Sequence, residues 1–272
     1  MQPRDVVAAT GDVATQADVQ ERLNAEFWAR GECVSYYATD GLRAAERTLL
    51  ERHRDALTGR VLELGCGAGR LTGHLGELAG VLHAVDLSPA MVALCRSRYP
   101  RAVCSEADLR DLSQFEDDSF DVVVAPFNVL DVLGDAERRR ALNEIRRVLV
   151  TGGLLIMSSH NRGYSPRIGA GIRVLIGSPR RPAASLGSLP RRLRNRRRLR
   201  PLQHDESGYA IVNDDAHDFS VLHYYISRDA QERQLVDQGF ELRECLDLDG
   251  LDVPAGAAAV SCPELHYVAQ AA

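Results

Sequence analysis

The chain has 272 residues, 45% of them hydrophobic, with a formal net charge of −5 and a pI near 5.9. That length can bury a full core in one elaborated α/β domain, and the acidic balance argues against general attraction to nucleic acid. All 33 basic residues are arginine, which excludes mechanisms that need a lysine amine, such as a Schiff base or a P-loop lysine.

No apolar run approaches the roughly 20 residues needed to cross a bilayer, and residues 1–20 are too polar and acidic for a signal peptide. A cytoplasmic protein with no membrane association is expected. The six cysteines (33, 66, 95, 104, 245 and 262) include no Cys-x-x-Cys pair, so neither a zinc site nor a disulfide framework is predicted.

Residues 1–17 lack a sustained apolar period and predict a disordered tail. Val19, Leu23 and Phe27 recur at helical spacing, and after Tyr36-Tyr37 a second helical run carries Leu42, Ala45, Leu49 and Leu50. Residues 18–57 therefore predict a helical prelude or lid. Over residues 58–160, short apolar runs alternate with amphipathic stretches, the pattern of βαβ units in a parallel sheet. Strands are predicted at 61–64, 81–85, 102–105, 120–125 and 154–158, with Ser88-Pro89 and Asp135 opening helices. Residues 161–226 break this regularity with glycines, prolines and a dense arginine run, and predict an insertion on the substrate side. Residues 227–272 close with a helix over 227–238, ended by Gly239, and a terminal antiparallel pair at 241–248 and 265–269.

The stretch Glu63-Leu64-Gly65-Cys66-Gly67-Ala68-Gly69 joins a strand to a helix. Such a turn brings backbone N–H groups up to an anionic ligand group. Its spacing fails the dinucleotide fingerprint, because Arg70 or Thr72 falls where the third glycine belongs. Asp86 ends the second strand, where a carboxylate can accept both ribose hydroxyls, and Asp108 follows the third, where it can take an adenine amine. An adenosine-containing ligand is the economical reading.

With these motifs, Phe120-Asp121-Val122-Val123 and Leu149-Val150-Thr151-Gly152-Gly153, the chain resembles the class I S-adenosylmethionine-dependent methyltransferases over residues 58–160 and the final strand pair. Thr151 stands where that family usually has proline. The resemblance implies a doubly wound Rossmann-like α/β fold. Its seven-stranded sheet would have an antiparallel last strand, with N-terminal helices and a substrate-covering insertion. It implies S-adenosyl-L-methionine as cofactor and S-adenosyl-L-homocysteine as product, with no metal. Gly65, Cys66, Gly67 and Gly69 would hold the methionine part, with Glu63 near its amino group. Asp86 with Leu87 would bind ribose, and Asp108 with Leu109 would bind adenine. Pro126 would border the cofactor and Asn128 the acceptor, beside the activated methyl. Tyr36 would close the pocket from the N-terminal side and Tyr37 would face the substrate.

The acceptor is narrowed by exclusion. Residues 125–128 read Ala-Pro-Phe-Asn, so the signatures of adenine or glutamine amino-methyltransferases and of cytosine C5 enzymes are missing. A hydroxyl acceptor needs a base nearby. His160, directly after the fifth strand, and His223 are the candidates, with Asn161 and Tyr224 as substrate contacts. His217 among Asp214, Asp215 and Asp218 reads as an exposed acidic turn and not as a metal site. The expected function is methylation of a small molecule, anionic or a natural-product intermediate, at O or N. The alternatives are a tRNA or protein methyltransferase gripping through the arginines, or a non-catalytic cofactor-binding partner subunit. Acceptor and oligomeric state stay open.

Overall fold

In the computed structural model, which describes residues 41–164 and 182–272 together with Arg22 and Phe27, the apolar run after Arg60 becomes a strand buried on both faces. This strand, β1 (Arg60–Leu64), pairs in parallel with β2 (Val81–Asp86) on one side and β4 (Phe120–Ala125) on the other. Its residues alternate between two cores. Val61 packs with Leu75, Val92 and Leu49 on one face, and Leu62 and Leu64 pack with Leu142 and Ile145 on the other. Each such fully buried side chain contributes about 1.5–3 kcal/mol, which is why the run is continuously apolar and Glu63 conspicuous within it.

The strand order β3-β2-β1-β4-β5, with β3 at Val103–Glu106 and β5 at Leu149–Asn161, reverses direction between β1 and β4. In open α/β sheets a ligand binds outside the carboxyl ends of the strands at such a switch point. The crossover helices are α2 (Thr72–Leu78), α3 (Pro89–Arg98) and α4 (Asp135–Val148), and α1 (Ala44–Arg52) precedes the sheet. Proline occupies the first turn of α3 after Ser88, as predicted, whereas α4 is capped by Gly134, and Asp135 lies inside its first turn.

Two strands complete the far side: β10 (Glu264–Ala271) runs antiparallel to β5 and to β9 (Phe240–Leu246). The helix before them, α6 (Arg228–Asp237), is capped by the Ser227 hydroxyl and followed by Gly239 at φ +79°.

Among the described residues the sheet has ten strands where seven were predicted. The difference lies in the insertion, which holds a helix, α5 (Pro182–Leu199), and three short strands, β6 (His204–Asp205), β7 (Tyr209–Val212) and β8 (His223–Ile226). Strand β4 ends at Ala125, opposite Met157, but β5 continues to Asn161. Its free edge there takes β8 in parallel, with His160 opposite Tyr225, and β7 and β6 follow antiparallel. Part of the insertion thus extends the sheet beyond the end of β4. Among the described residues, no helix is long and apolar enough to cross a membrane.

Candidate active site

The glycine turn opens at the carboxyl end of β1. Gly65, Gly67 and Gly69 all adopt positive φ (64°, 53° and 90°), a region that L side chains enter only at a cost. A Cβ on Gly65 would collide with Val129, and one on Gly69 with the Tyr99 ring, whereas Gly67 has nothing within 4 Å. Asp86 holds this turn in place: its Oδ2 accepts the Gly67 N–H at 2.9 Å and its Oδ1 accepts the Ser88 N–H at 2.9 Å. Burial raises the Asp86 carboxyl despite these bonds.

Glu63 lies under the turn, 1% exposed, with the Thr72 hydroxyl donating to it at 2.5 Å. Burial pushes its carboxyl up to about 8, because desolvation disfavours the charged form by more than the Thr72 bond and the Arg70 charge favour it. Asp108, in contrast, is paired with the Arg110 guanidinium at 2.6 Å, which holds it below its ordinary value.

A cavity of about 600 Å³ runs from Glu63 and the glycine turn past Asp86, Leu87, Asp108, Leu109 and Pro126 to Asn128, His160 and His223. Phe127 and Asn128 adopt successive left-handed conformations (φ 56° and 57°). Backbone strain of this kind persists where surrounding structure over-determines it, often at functional sites. Here the Asn128 N–H donates to Ser158 Oγ at 2.8 Å, and its Nδ2 donates to Glu264 at 3.1 Å and lies 3.3 Å from His160 Nε2.

Behind His160 lies Asp131, fully buried. It accepts from Arg138 (2.5 Å), from the Ser159 hydroxyl (2.7 Å) and from both the backbone N–H and the Nδ1–H of His160 (2.7 Å each). Since a carboxylate only accepts, the proton of the neutral ring sits on Nδ1, and the Nε2 lone pair lies on the cavity wall with Asn128 Nδ2 3.3 Å away. Burial disfavours the imidazolium, but the bond and charge of Asp131, with the charges of Asp214 and Glu264, outweigh it, so His160 titrates above its ordinary value.

A second pair of the same kind comes from the insertion. His223 Nδ1 donates to Asp214 at 2.9 Å, and the Tyr225 hydroxyl donates to the same oxygen at 2.7 Å. Burial alone would raise the Asp214 carboxyl, yet His223, Tyr225 and His160 bring it well below the carboxylate range. The His160 and His223 rings lie 5.1 Å apart, and His160 stacks on Tyr225 at 4.7 Å. His160, His223 and Asp214 are the one group of potential metal ligands among the described residues, with donor atoms within 4.8 Å of one another.

The turn beside them is strained. His217, Asp218 and Phe219 all have positive φ (50°, 59° and 60°). Arg191 and Arg192 of α5 hold the Asp218 carboxylate, Asn195 donates to its backbone carbonyl at 3.0 Å, and Arg192 lies over the Phe219 ring at 5.2 Å. The turn thereby places His217 on the cavity wall, beside the Phe27 ring at 4.7 Å. Burial brings His217 down to about 4.

Of the residues singled out by sequence, Glu63, Gly65, Cys66, Gly67, Asp86, Leu87, Asp108, Leu109, Pro126, Asn128, His160 and His223 line this one cavity. Tyr36 and Tyr37 lie outside the described residues. Three others sit elsewhere. Gly69 packs under Tyr99 as a turn residue. Asn161 turns its amide to the carbonyls of Ala258, Ala259 and Cys262. Tyr224 is fully buried, bonded to Asp135 and stacked on Tyr209, because alternation along β8 sends it to the face opposite His223 and Tyr225. Sequence reasoning passed over Asp131, although an acid inside Val129-Leu130-Asp131-Val132 was a signal, and treated His217 as exposed.

A switch-point crevice with a glycine turn, the strand-end carboxylate of Asp86 and the His160 ring on its wall defines a Rossmann-like fold. Residues 61–153 match the family described as "Methyltransferase domain". A probable S-adenosylmethionine-dependent methyltransferase of Mycobacterium tuberculosis is 42% identical over 107 residues, 39% of this chain and 38% of that protein. A dTDP-3-amino-3,6-dideoxy-alpha-D-glucopyranose N,N-dimethyltransferase of Streptomyces fradiae is 30% identical over 115 residues, 42% of this chain and 44% of that protein. These matches span about two fifths of the relatives' length. Among solved structures, a SAM-bound amino pentose methyltransferase of Micromonospora echinaspora shares the fold, with TM-score 0.53 and 18% identity, covering 89% of this chain and 96% of that one. Residues 61–153 are thus similar to the methyltransferase domain of S-adenosylmethionine-dependent enzymes.

Proposed function

We propose that this protein transfers a methyl group from S-adenosyl-L-methionine to an oxygen of a small-molecule acceptor, with His160 as the base. The observation that carries the reading is the Asp131–His160 pair, which leaves Nε2 as a proton acceptor at the cavity end away from the glycine turn. The cofactor end fits the donor. Gly67 has open space where a Cβ would point, and Glu63 is a buried carboxylate whose one hydrogen bond among the described residues comes from Thr72. When bound, S-adenosylmethionine supplies an electrophilic methyl on a sulfonium, which a nucleophile takes by in-line displacement.

The chain's own residues do the rest. Glu63 receives the amino group, Asp86 the ribose hydroxyls, and Asp108 with Leu109 the adenine. Asn128, His160 and the insertion turn confine the acceptor and exclude water. His160 Nε2 takes the acceptor's proton as the oxygen forms its new bond to carbon, and Asp131 stabilises the resulting imidazolium without taking the proton itself. Three arginines of α5 are engaged within the protein, Arg191 and Arg192 with Asp218 and Arg196 over Phe219. That weighs against the arginine run as a grip on RNA.

The test is incubation of the protein and a metabolite extract with isotopically labelled S-adenosylmethionine, read by mass spectrometry. A labelled small molecule whose formation is lost in Asp86→Ala supports the reading. Cofactor binding without transfer to any fraction refutes it.

A further inference from the structure

We propose that the acceptor is a vicinal diol, with the oxygen to be methylated on His160 Nε2 and its neighbouring hydroxyl on His223 Nε2. This rests on the transferase reading above and names its substrate class.

The argument is a count of donors and acceptors. His160 and His223 each commit Nδ1–H to a carboxylate, Asp131 at 2.7 Å and Asp214 at 2.9 Å. In their neutral form both rings therefore keep the proton on Nδ1, and Nε2 accepts. The ring centroids are 5.1 Å apart on the wall of one cavity. The cations on the same wall do not face a ligand as free donors. Arg43 is bonded to Glu264, Arg70 to Glu46 and Arg110 to Asp108. The wall at this end thus offers two acceptors, and the one donor already beside them among the described residues is Asn128 Nδ2, a long 3.3 Å contact to His160 Nε2 that a ligand hydroxyl can replace; a ligand with two close donors suits this wall.

Hydroxyls on adjacent carbons have oxygens about 2.8 Å apart, near one hydrogen-bond length, and can reach both nitrogens at once. A single hydroxyl on His160 leaves the His223 Nε2 acceptor desolvated without a partner among the described residues, a mismatch that sites built for hydroxyl recognition reject strongly. His223 is in this reading a specificity residue. Its hydroxyl keeps its proton, while the one on His160 gives its proton to Nε2 and its lone pair to the methyl carbon as the methyl–sulfur bond breaks and its electron pair leaves with the sulfur of S-adenosyl-L-homocysteine.

The wild-type product made from extract with labelled S-adenosylmethionine is identified first. A methyl ether whose adjacent carbon bears a free hydroxyl is expected; a product with no hydroxyl on the adjacent carbon overturns the proposal. If no labelled product forms although calorimetry shows cofactor binding, the transferase reading itself has failed. In a second arm, cis-cyclohexane-1,2-diol and cyclohexanol compete with labelled transfer. The diol is expected to inhibit at a concentration at least about tenfold lower, and His223→Phe, checked for folding by circular dichroism, to remove that difference. Equal inhibition by both alcohols in the wild type overturns it. So does transfer that is abolished by dialysis against chelator and restored by zinc, which would make the same atoms a metal centre.

Discussion

Asp131 accepts both the side-chain Nδ1–H and the backbone N–H of His160, each at 2.7 Å, while the Arg138 guanidinium neutralises it from the opposite side. One buried carboxylate thereby sets the position, tautomer and basicity of the ring. For a base, activity belongs to the neutral form. The kcat/KM profile should therefore rise with pH to a plateau whose midpoint lies above the ordinary 6.5. His160→Ala should lower turnover by about 10²–10⁴-fold and abolish this limb, with cofactor affinity retained. A variant with full activity removes His160 from the mechanism.

Asp131→Asn should also move the limb of whatever activity survives to lower pH, because the raising bond and charge are gone. The same pair gives a stability signature. His160 is raised in the folded state, so its contribution is complete below the unfolded value and is lost as pH rises through the folded one. Melting temperatures of wild type and Asp131→Asn should converge partly on going from pH 6 to pH 9. The residual gap reflects Arg138 left buried without its partner, a loss of about 3–5 kcal/mol.

The glycines of the turn should separate by role. Gly67→Ala faces open space and meets only the cost of its left-handed backbone, about 1–2 kcal/mol, so the protein should fold but lose most of its cofactor affinity. Gly69→Ala drives a methyl into the Tyr99 ring and should lower the melting temperature substantially. Calorimetric titration with S-adenosylmethionine alongside thermal melts distinguishes the two. Equal behaviour of both variants would contradict these assignments.

Glu63, pushed up to about 8 by burial, is mostly neutral at pH 6–7 and must ionise to receive an ammonium group. Cofactor affinity should then rise about tenfold per pH unit over that interval, with about one proton released on binding. Titrations in buffers of different ionisation heat measure the proton directly. Glu63→Gln should bind more weakly and lose the slope, and a slope unchanged in that variant would dissociate Glu63 from the cofactor.

The left-handed turn at 217–219 depends on α5. Arg192→Ala removes an ion pair to Asp218 and the cation over Phe219, together about 1–2 kcal/mol. It should raise KM for the acceptor severalfold while leaving cofactor affinity unchanged. A changed cofactor Kd with a normal acceptor KM would contradict this division of the cavity.

The cofactor half was legible in residues because its determinants are local. A strand, a glycine turn and a carboxylate at the next strand end follow from short-range pattern and backbone conformation, and Glu63, Gly67, Asp86 and Asp108 line the cavity in that order along the chain. The acceptor half was legible only in fragments. His160 was visible at a strand end, but Asp131, 29 residues earlier, meets it only because β4 and β5 lie side by side. The short strands β6, β7 and β8 carry too few residues for a periodic signal, and their pairing exists only because β5 outruns β4 and leaves an edge to fill. Sequence by itself determined the glycine turn and the strand-end carboxylates proposed to hold the donor, where each residue lies within its own βα unit. Tertiary structure alone decided which histidines receive carboxylates and that the arginine helix clamps a turn. Those contacts join residues tens of positions apart, and their energies come from burial that no local pattern records.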